Sequence, residues 1–416
     1  MAMYDVAIIG AGAAGIGAAK RLRELSLSFI VIEASHRIGG RGYTEETAPK
    51  EFFDLGCHWL HSASLNPFVP IADRLGFKYV KPHGWSFKPY LDGRWAGESE
   101  TKECEEFIDA NQARMTEAAQ SGLDVAQIDV TEREHHWTPL FDYWVSLMTS
   151  VDVDQVSVFD HAHYNDTREN WRVKDGYGRL IVRFAQDIPV QLNSAVERVK
   201  WSGPGVSLET RKGTVTAHTA IITVSNGILN AHDIQFEPEL PDWKQEAIAA
   251  LPLGNYNYIC LVYDRDSFGV DHDYCTWMSE GEVALGLQIR PFGRNQVIAT
   301  TGGRFATWLE RAGAEASADY VKERVATIFG GNAIKHVVSA NVTAWGSDPW
   351  VRGAYSAALP GQGHQRALLA QPINGRVFFA GEATSTEFFA TAHGAYLSGI
   401  RAADEVMTSM RDRVLA

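Results

Sequence analysis

Apolar and polar positions near the N-terminus predict a strand, a tight turn and a helix in succession. An apolar run precedes Gly10, Gly12 and Gly15, and an alanine-rich stretch with helical spacing follows them. A second apolar run ends in Glu33, eighteen residues after Gly15. A glycine turn at a helix N-terminus suits a pyrophosphate, and an acid at this spacing accepts hydrogen bonds from ribose hydroxyls. We therefore predict a site for an adenine dinucleotide whose ribose is not phosphorylated.

The pattern changes along the rest of the chain. From residue 71 to about 150, helical spacing with polar faces predicts a mostly helical region. From residue 171, short alternating runs broken by glycine and proline predict strands, the last of which is a buried strand at 220–224. Later runs predict a second sheet, then a helix that ends at Gly330 and a final strand that enters a closing helix.

These elements predict an α/β protein, α+β overall, with two interleaved domains. A Rossmann-type dinucleotide-binding domain is expected from residues 1–70, 171–235 and 345–416. A substrate domain of one sheet with helices is expected from residues 71–170 and 236–344. A length of 416 residues also favours two domains over one core.

Composition narrows the class of protein. The chain is 45% hydrophobic and 21% charged, and no stretch approaches the roughly 18 apolar residues of a membrane span. Its N-terminus enters the first strand almost at once, so we expect no secretory signal and a cytoplasmic location. A net charge of −13 argues against nucleic acid as a partner and fits a cationic ligand. The four cysteines form no C-x-x-C pair and are expected to be free thiols.

Clusters of histidine raise the possibility of a metal site. They are Cys57 with His58 and His61, His135 with His136, and His161 with His163. No second cluster lies at a recognised zinc spacing from any of them, so we predict no metal.

Four ordered segments of the chain resemble flavin-dependent amine oxidases of the polyamine oxidase and lysine-specific histone demethylase branch. The segments are EASHRIGGRGYT at 33–44, FDLGCHWLHSASLNP at 53–67, WGSDPWVRGAYS at 345–356 and FFAGEATSTEFFATAHGAYLSGIRAA at 378–403. The resemblance runs from end to end and is weakest near residues 70–170. It implies that the dinucleotide is FAD.

The resemblance also implies which residues bind the cofactor. Glu33 would hold the adenosine ribose, Arg41 the pyrophosphate, and Glu382 the ribityl and phosphate side. The segment GEATSTEFFATAHG holds no cysteine, so FAD is expected to be noncovalent. The full set of expected cofactor contacts is Gly10, Gly12, Ala14, Gly15, Glu33, Gly39, Gly40, Arg41, His58, Trp59, Val196, Gly381, Glu382, Thr391 and Ala392.

The chemistry implied by this family is hydride transfer from the carbon next to an amine nitrogen to flavin N5. The imine that results is hydrolysed to an aldehyde or ketone, and the partners are a small-molecule amine, such as a polyamine, and dioxygen or another electron acceptor. Such a reaction needs a dry aromatic pocket. The expected residues of this pocket are Trp59, His61, Tyr258, Trp345 and Tyr355.

Tyr258 marks a departure from the family pattern. Relatives commonly carry lysine at the end of a G-N-x-N-K segment, where the ammonium group assists the reaction with dioxygen, but this chain reads GNYNY. A phenol is uncharged at neutral pH. An oxidase and a dehydrogenase with another acceptor therefore both stay open.

Two other functions remain open at this level. A flavin-dependent amino-acid oxidase needs an arginine to bind the substrate carboxylate, and Arg304 or Arg352 are candidates. In a non-catalytic binding protein the flavin would be structural. The sequence leaves the identity of the amine and the oligomeric state undetermined.

Overall fold

The structure is a computed structural model that describes residues 3–49, 51–81, 87–281 and 283–415. The strands are β1 Tyr4–Ile9, β2 Phe29–Ile32, β3 Thr44–Ala48, β4 Glu51–Asp54, β5 Trp59–Leu60, β6 Tyr79–Val80, β7 Lys88–Leu91, β8 Arg94–Trp95, β9 Trp171–Val173, β10 Val190–Gln191, β11 Val196–Lys200, β12 Val206–Thr210, β13 Gly213–Ile222, β14 Gln235–Glu237, β15 Tyr256–Tyr263, β16 Tyr274–Glu280, β17 Val283–Ile289, β18 Gln296–Gly302, β19 Val337–Val342 and β20 Val377–Phe379. The α-helices are α1 Ala13–Glu24, α2 Phe68–Leu75, α3 Glu98–Gln120, α4 Thr138–Thr149, α5 Val158–His163, α6 Tyr177–Ala185, α7 Asn226–Asn230, α8 Asp242–Ala249, α9 Gly303–Ala312, α10 Ala314–Phe329, α11 Gln365–Ala370 and α12 Ala392–Leu415.

The first sheet has the strand order β10-β2-β1-β13-β12-β11-β14, and β20 pairs with β13. Strands β10, β2, β1, β13 and β20 run parallel to one another, and α1 crosses over from β1 to β2 as in a Rossmann fold. Their apolar residues are buried on both faces, which is typical of a parallel sheet covered by helices.

Two helices cover one face of this sheet at very short range because glycines lie at their contact. A Cβ on Gly17 of α1 would lie 2.3 Å from the carbonyl oxygen of Tyr396 in α12. A Cβ on Gly399 would in turn lie 2.0 Å from the carbonyl oxygen of Ala14. The two backbones therefore pack directly on each other, and this fixes where α12 begins relative to the glycine turn.

The second sheet has the order β19-β15-β18-β17-β16-β7-β8 and is antiparallel except where β16 meets β7. Helices α9 and α10 follow β18 in the chain, and α10 packs on one face through Val321 and Val325. Helix α4 contacts the central strands of this sheet, and its Tyr143 donates to the carbonyl oxygen of Thr300 in β18. Strands of the two sheets alternate along the chain, and the predicted domain boundaries stay a prediction.

Three predicted elements differ in the structure. Strands β7 and β8 lie inside the region predicted to be mostly helical, because they extend the edge of the second sheet. Helix α6 occupies a stretch predicted as strand, and its apolar residues Leu180 and Ile181 pack on the first sheet. The closing helix begins at Ala392, well after the final strand ends at Phe379, since a turn with Glu382 intervenes.

Within the described ranges, none of the helices is both long enough and apolar enough to cross a membrane. The cytoplasmic location expected from the sequence stays a prediction.

Candidate active site

One cavity of about 1410 Å³ lies between the two sheets and is walled by residues of both. Ligand cavities of proteins commonly measure about 300–1,000 Å³. This volume is large enough for a dinucleotide and a second small molecule together.

One part of the wall, here called the nucleotide end, is built from the glycine turn. Gly12 precedes α1 without a side-chain cap, and the first turn of this helix carries no acidic residue. Gly39 and Gly40 lie against it, with the Gly39 N–H donating to the carbonyl oxygen of Ala11 at 2.9 Å. A Cβ on Gly40 would lie 3.2 Å from the Cα of Gly12. The positive end of α1 therefore faces the cavity, and its own first turn carries no acidic residue to neutralise it.

Glu33 is the acid of the nucleotide end. Its Oε2 accepts a hydrogen bond from the Ala11 N–H at 2.7 Å, and its Oε1 accepts one from the Ser35 N–H at 2.8 Å. A carboxylate has about four acceptor positions, so two remain available for ribose hydroxyls. The side chain is held in place and still has free acceptor capacity.

Glu382 differs from Glu33 because protein donors surround it. Oε1 accepts from Arg41 Nη1 at 3.0 Å, and Oε2 accepts from the Ser356 hydroxyl at 2.7 Å and the Ala390 N–H at 3.0 Å. Burial raises the pKa of Glu382, but Arg41, Ser356 and Arg366 together hold it below its ordinary value. The direct cofactor contact predicted for Glu382 stays a prediction. A cofactor hydroxyl would have to share the carboxylate oxygens with these protein donors.

All but one of the residues predicted to form the site line this cavity. The exception is Gly15, whose Cβ would lie 2.0 Å from the carbonyl oxygen of Gly10, so its role is to let α1 pack against the turn. The residues that do line it are Gly10, Gly12, Ala14, Glu33, Gly39, Gly40, Arg41, His58, Trp59, His61, Val196, Tyr258, Trp345, Tyr355, Gly381, Glu382, Thr391 and Ala392.

Four aromatic residues form what we call the aromatic wall: Tyr256, Tyr258, Trp345 and Tyr355. Trp345 Nε1 donates to the carbonyl oxygen of Leu55 at 2.7 Å, and the Tyr355 hydroxyl donates to the carbonyl oxygen of Leu147. Tyr256 contacts both Tyr258 and Tyr355, with ring centroids 5.0 Å and 5.8 Å away. The rings are therefore fixed before any ligand binds.

Tyr258 is an uncharged member of this wall. Burial, followed by the neighbouring Tyr256 hydroxyl, raises the pKa of Tyr258 well above its ordinary value. No lysine lines the cavity within the part of the chain that the structure describes. The cation that Tyr258 lacks is thus not replaced by a lysine from another described segment.

Two histidines of the cavity wall have different surroundings. His58 is buried, with Nδ1 3.3 Å from Asp54 Oδ2 and with Nε2 unpartnered among the described residues. His61 Nδ1 lies 2.6 Å from Asn170 Oδ1. Burial lowers the pKa of His61, although Asn170 and Asp166 oppose this. His61 is therefore neutral at physiological pH, with Nε2 free to accept a hydrogen bond if Nδ1 donates to Asn170.

Glu310 of α9 fixes the aromatic wall from behind, and sequence reasoning missed it. Its Oε2 accepts from the side-chain amides of Asn255 and Asn257, each at 2.8 Å, and its Oε1 accepts from the Ser347 N–H at 2.6 Å. The Asn257 side chain in turn accepts from the Trp345 N–H at 3.3 Å. These bonds join the start of β15 to the segment that carries Trp345, and explain the asparagines of GNYNY.

An acidic helix face also lines the cavity and was not predicted. Glu105 and Asp109 lie four residues apart on α3, with Ile108 and Gln112 on the same side. Both carboxylates are exposed, so this acidic face lies where the cavity meets solvent. The helix itself was predicted, but its polar pattern does not tell which side faces a cavity.

The arginines considered for an amino-acid substrate are already paired. Arg304 pairs with Asp152 and Asp154 outside the cavity wall. Arg352 lines the cavity, but its Nε and Nη2 donate to Asp233, at 2.5 Å and 3.1 Å. The charge of each arginine is therefore already paired with aspartate, which disfavours either as the group that binds a substrate carboxylate.

Glu103 lies close to His135 and His136 in the structure. Among the described residues, these three side chains form the cluster whose atoms could together hold a metal ion. The Trp137 N–H donates to His135 Nδ1 at 3.3 Å. A neutral His135 then carries its proton on Nε2, the atom that faces Glu103 at 3.7 Å. At 3.7 Å the two groups are too far apart for a hydrogen bond, and the absence of a metal here stays a prediction.

The chain is similar to known proteins along nearly its whole length. Polyamine oxidase 4 of Oryza sativa subsp. japonica is 29% identical over 436 residues, which cover 96% of this chain and 88% of that protein. Lysine-specific histone demethylase 1 homolog 2 of Arabidopsis thaliana is 26% identical over 434 residues, which cover 97% of this chain and 58% of that protein.

Two solved structures share the fold. Cyclohexylamine oxidase from Brevibacterium oxydans IH-35A superposes with a TM-score of 0.83 at 21% identity, covering 99% of this chain and 100% of that one. Wild-type putrescine oxidase bound to putrescine superposes with a TM-score of 0.81 at 22% identity, covering 98% and 99%. At sequence identities of 21% and 22%, this similarity shows a shared fold and does not by itself show a shared function.

The family assignment comes from a sequence model rather than from these superpositions. The model described as flavin containing amine oxidoreductase matches residues 13–407, which include the second sheet, every strand of the first sheet except β1, and every segment of the cavity wall named above except the start of the glycine turn. The chain therefore belongs to the flavin containing amine oxidoreductase family, and the protein is an FAD-dependent enzyme that oxidises amines.

Proposed function

We propose that the substrate is a diamine or polyamine. One nitrogen would lie at the aromatic wall, and a second, as an ammonium group, near the acidic face of α3. The observation that carries this proposal is that one cavity has the aromatic wall in its interior and Glu105 and Asp109 where it meets solvent. A carboxylate pair favours a distal cation, which a monoamine does not have.

We further propose that FAD is held by the residues of the nucleotide end and by the start of α12. The uncapped α1 N-terminus suits the pyrophosphate, Glu33 has free acceptors for the ribose, and Arg41 keeps N–H groups beyond those used on Glu382. The residues present thus fit the cofactor. FAD bound there supplies the acceptor that takes a hydride from the carbon next to the amine nitrogen.

Noncovalent attachment is part of this proposal. Cys57 is a cavity-lining thiol, and burial raises its pKa, so the thiolate needed for attack is scarce. Acid denaturation is expected to release FAD into the supernatant. Flavin that stays with the precipitated protein would contradict noncovalent binding.

The side chains of the cavity have separable tasks in the reaction. The aromatic wall excludes water and orients the substrate carbon, because its rings are fixed by hydrogen bonds to Leu55 and Leu147. Neutral His61 accepts a hydrogen bond from the amine N–H through Nε2, while Asn170 holds its Nδ1. A neutral histidine does not repel the substrate's remaining positive charge.

The electron acceptor is proposed to be one other than dioxygen, or dioxygen used slowly. Tyr258 stays an uncharged phenol, and no described lysine stands in for it. Without a nearby cation, charge that develops on dioxygen is stabilised less.

The substrate proposal is tested by removing the acidic face. The double variant Glu105→Gln, Asp109→Asn should raise KM for putrescine about three- to tenfold while leaving KM for butylamine unchanged, since only the diamine has a distal ammonium group. Glu117→Gln, on the same helix but outside the cavity wall, is the matched control. Equal changes for both amines, or none, would reject the distal role of these carboxylates.

A further inference from the structure

A buried arginine that no step above uses lies behind the cavity. Arg366 of α11 is 2% exposed, and its partner Asp160 of α5 is 4% exposed. Arg366 Nε donates to Asp160 Oδ1 at 2.9 Å and Nη2 donates to Oδ2 at 2.7 Å, which is a two-point ion pair. Burying such a pair removes both charges from water, and this desolvation offsets much of the attraction between them. The ion pair is therefore weak evidence of a purely stabilising role.

The same guanidinium group continues toward Glu382. Arg366 Nη1 donates to the Ser356 hydroxyl at 2.8 Å, and that hydroxyl donates to Glu382 Oε2 at 2.7 Å. Glu382 also accepts from Arg41 on its other oxygen. A buried chain of hydrogen bonds thus runs from Asp160 through Arg366, Ser356 and Glu382 to Arg41.

A second contact of Arg366 reaches another part of the cavity wall. The guanidinium carbon lies 4.0 Å from the centre of the Phe389 ring, and Phe389 and Ala390 line the cavity just before α12. The Ala390 N–H donates to the Glu382 oxygen that Ser356 also bonds. Arg366 therefore contacts Phe389 directly and, through Ser356, reaches the carboxylate that accepts from the Ala390 N–H.

The chain of bonds joins segments that lie on different sides of the cavity. Asp160 lies on α5 beside His161, and both line the cavity in the region rich in helices. Glu382 and Arg41 belong to the segments expected to hold the cofactor. The four charges of Asp160, Arg366, Glu382 and Arg41 sum to zero, which makes the set stable when buried as a unit and intolerant of losing one member.

We propose that Arg366 is a positioning residue for the cofactor: it holds Glu382, Phe389 and Ala390 in the arrangement that FAD requires. The proposal rests on FAD binding in this cavity. Arg366 is not assigned contact with substrate or cofactor, and it acts through Ser356, Glu382 and Phe389.

Two variants test this without leaving an isolated buried charge. Ser356→Ala removes the hydroxyl between Arg366 and Glu382 and leaves the ion pair intact. Arg366→Lys keeps the positive charge but cannot donate to Asp160 and Ser356 together in the planar fork. The double variant Asp160→Asn, Arg366→Met removes both charges of the pair and gives a third measurement that does not depend on the folding of the first two variants.

Lys244 of α8 offers a matched control, because its side chain also holds α11 in place. Its ammonium group is fully buried and donates to the carbonyl oxygens of Leu368, Leu369 and Gln371 at the far end of α11. It has no bond to Glu382 and does not line the cavity. Lys244→Met should therefore lower the melting temperature without changing cofactor affinity.

The measurement is the Kd for FAD, from fluorescence on reconstitution of each deflavinated protein, together with the visible spectrum of the bound flavin. We expect Kd to rise about threefold to tenfold for Ser356→Ala and at least about tenfold for Arg366→Lys and the double variant, with Lys244→Met within twofold of wild type. Wild-type affinity in the first three proteins would overturn the proposal. An equal loss in Lys244→Met would overturn it too, since loosening of α11 would then explain the effect. A wild-type protein that binds no FAD would refute the proposed cofactor site itself.

Discussion

The nucleotide end and the aromatic wall of the cavity are built in different ways. Gly10, Gly12, Glu33 and Gly40 lie within about thirty residues of one another, in the segments that directly follow β1 and β2. The aromatic wall takes Tyr256 and Tyr258 from β15 and Trp345 and Tyr355 from a segment about 90 residues later. The first end depends on local backbone geometry, whereas the second depends on how distant segments pack.

Two of the buried carboxylates that line the cavity, Glu33 and Glu382, show the same difference. Glu33 accepts from two nearby N–H groups and keeps acceptors free for a ligand. Glu382 accepts from Arg41, Ser356 and Ala390, which come from three separate segments. We infer that Glu33 serves the ligand directly and that Glu382 mainly keeps the wall assembled.

The largest expected effect comes from breaking the local geometry of the nucleotide end. In Gly15→Ala the new Cβ would lie 2.0 Å from the Gly10 carbonyl oxygen, which is backbone and has no room to move. We expect a loss of about 3 kcal/mol in the free energy of unfolding, with loss of bound flavin, measured by urea denaturation and absorbance. Gly331→Ala, where nothing lies within 4 Å of the new Cβ, is the control and should change little. A Gly15→Ala protein as stable and as yellow as wild type would show that the turn is less constrained.

Glu33→Ala should have the next largest effect, on affinity rather than on folding. It removes the acceptor for the ribose hydroxyls and leaves the Ala11 and Ser35 N–H groups without their partner. We expect FAD binding to weaken by about 1–3 kcal/mol, measured as the Kd on reconstitution. Unchanged affinity would locate the ribose contact elsewhere.

Tyr258→Lys changes the aromatic wall and the chemistry it permits. An ammonium group in place of the phenol would stabilise charge that develops on dioxygen, so reoxidation of the reduced enzyme should speed up roughly ten- to a hundredfold, or about 1.4–2.7 kcal/mol of barrier. Stopped-flow mixing with aerated buffer measures this rate. Burial would lower the pKa of the new lysine, so the rate has to be followed against pH. If wild type reoxidises as fast as it is reduced, and the variant is no faster, Tyr258 does not limit oxygen use.

The difference between local geometry and the packing of distant segments also explains which features the sequence predicts. The strand at Phe29–Ile32 and the helix that ends before Gly330 were predicted correctly because their signals are local. Helix α6 was missed because Leu180, Ile181 and Val182 form a continuous apolar run that also suits a strand. The pair of Asp160 and Arg366 is 206 residues apart in the chain, and no local pattern marks it. Family resemblance supplied most of the wall, but not Tyr256, Glu310 or the acidic face.

We propose above that the cavity binds FAD and that the enzyme oxidises a diamine or polyamine whose reacting nitrogen is uncharged. Anaerobic mixing of the holoenzyme with subsaturating putrescine, followed by loss of flavin absorbance, tests it most directly. Amines near the reference pKa of about 10.4 are mostly protonated at neutral pH, whereas buried His61 stays neutral and buried Tyr258 stays protonated throughout this range. Our account predicts bleaching of the flavin at a rate that rises steadily from about pH 7 to pH 10. Flavin that stays oxidised with putrescine and longer polyamines, or a bleaching rate that does not change with pH, would contradict it.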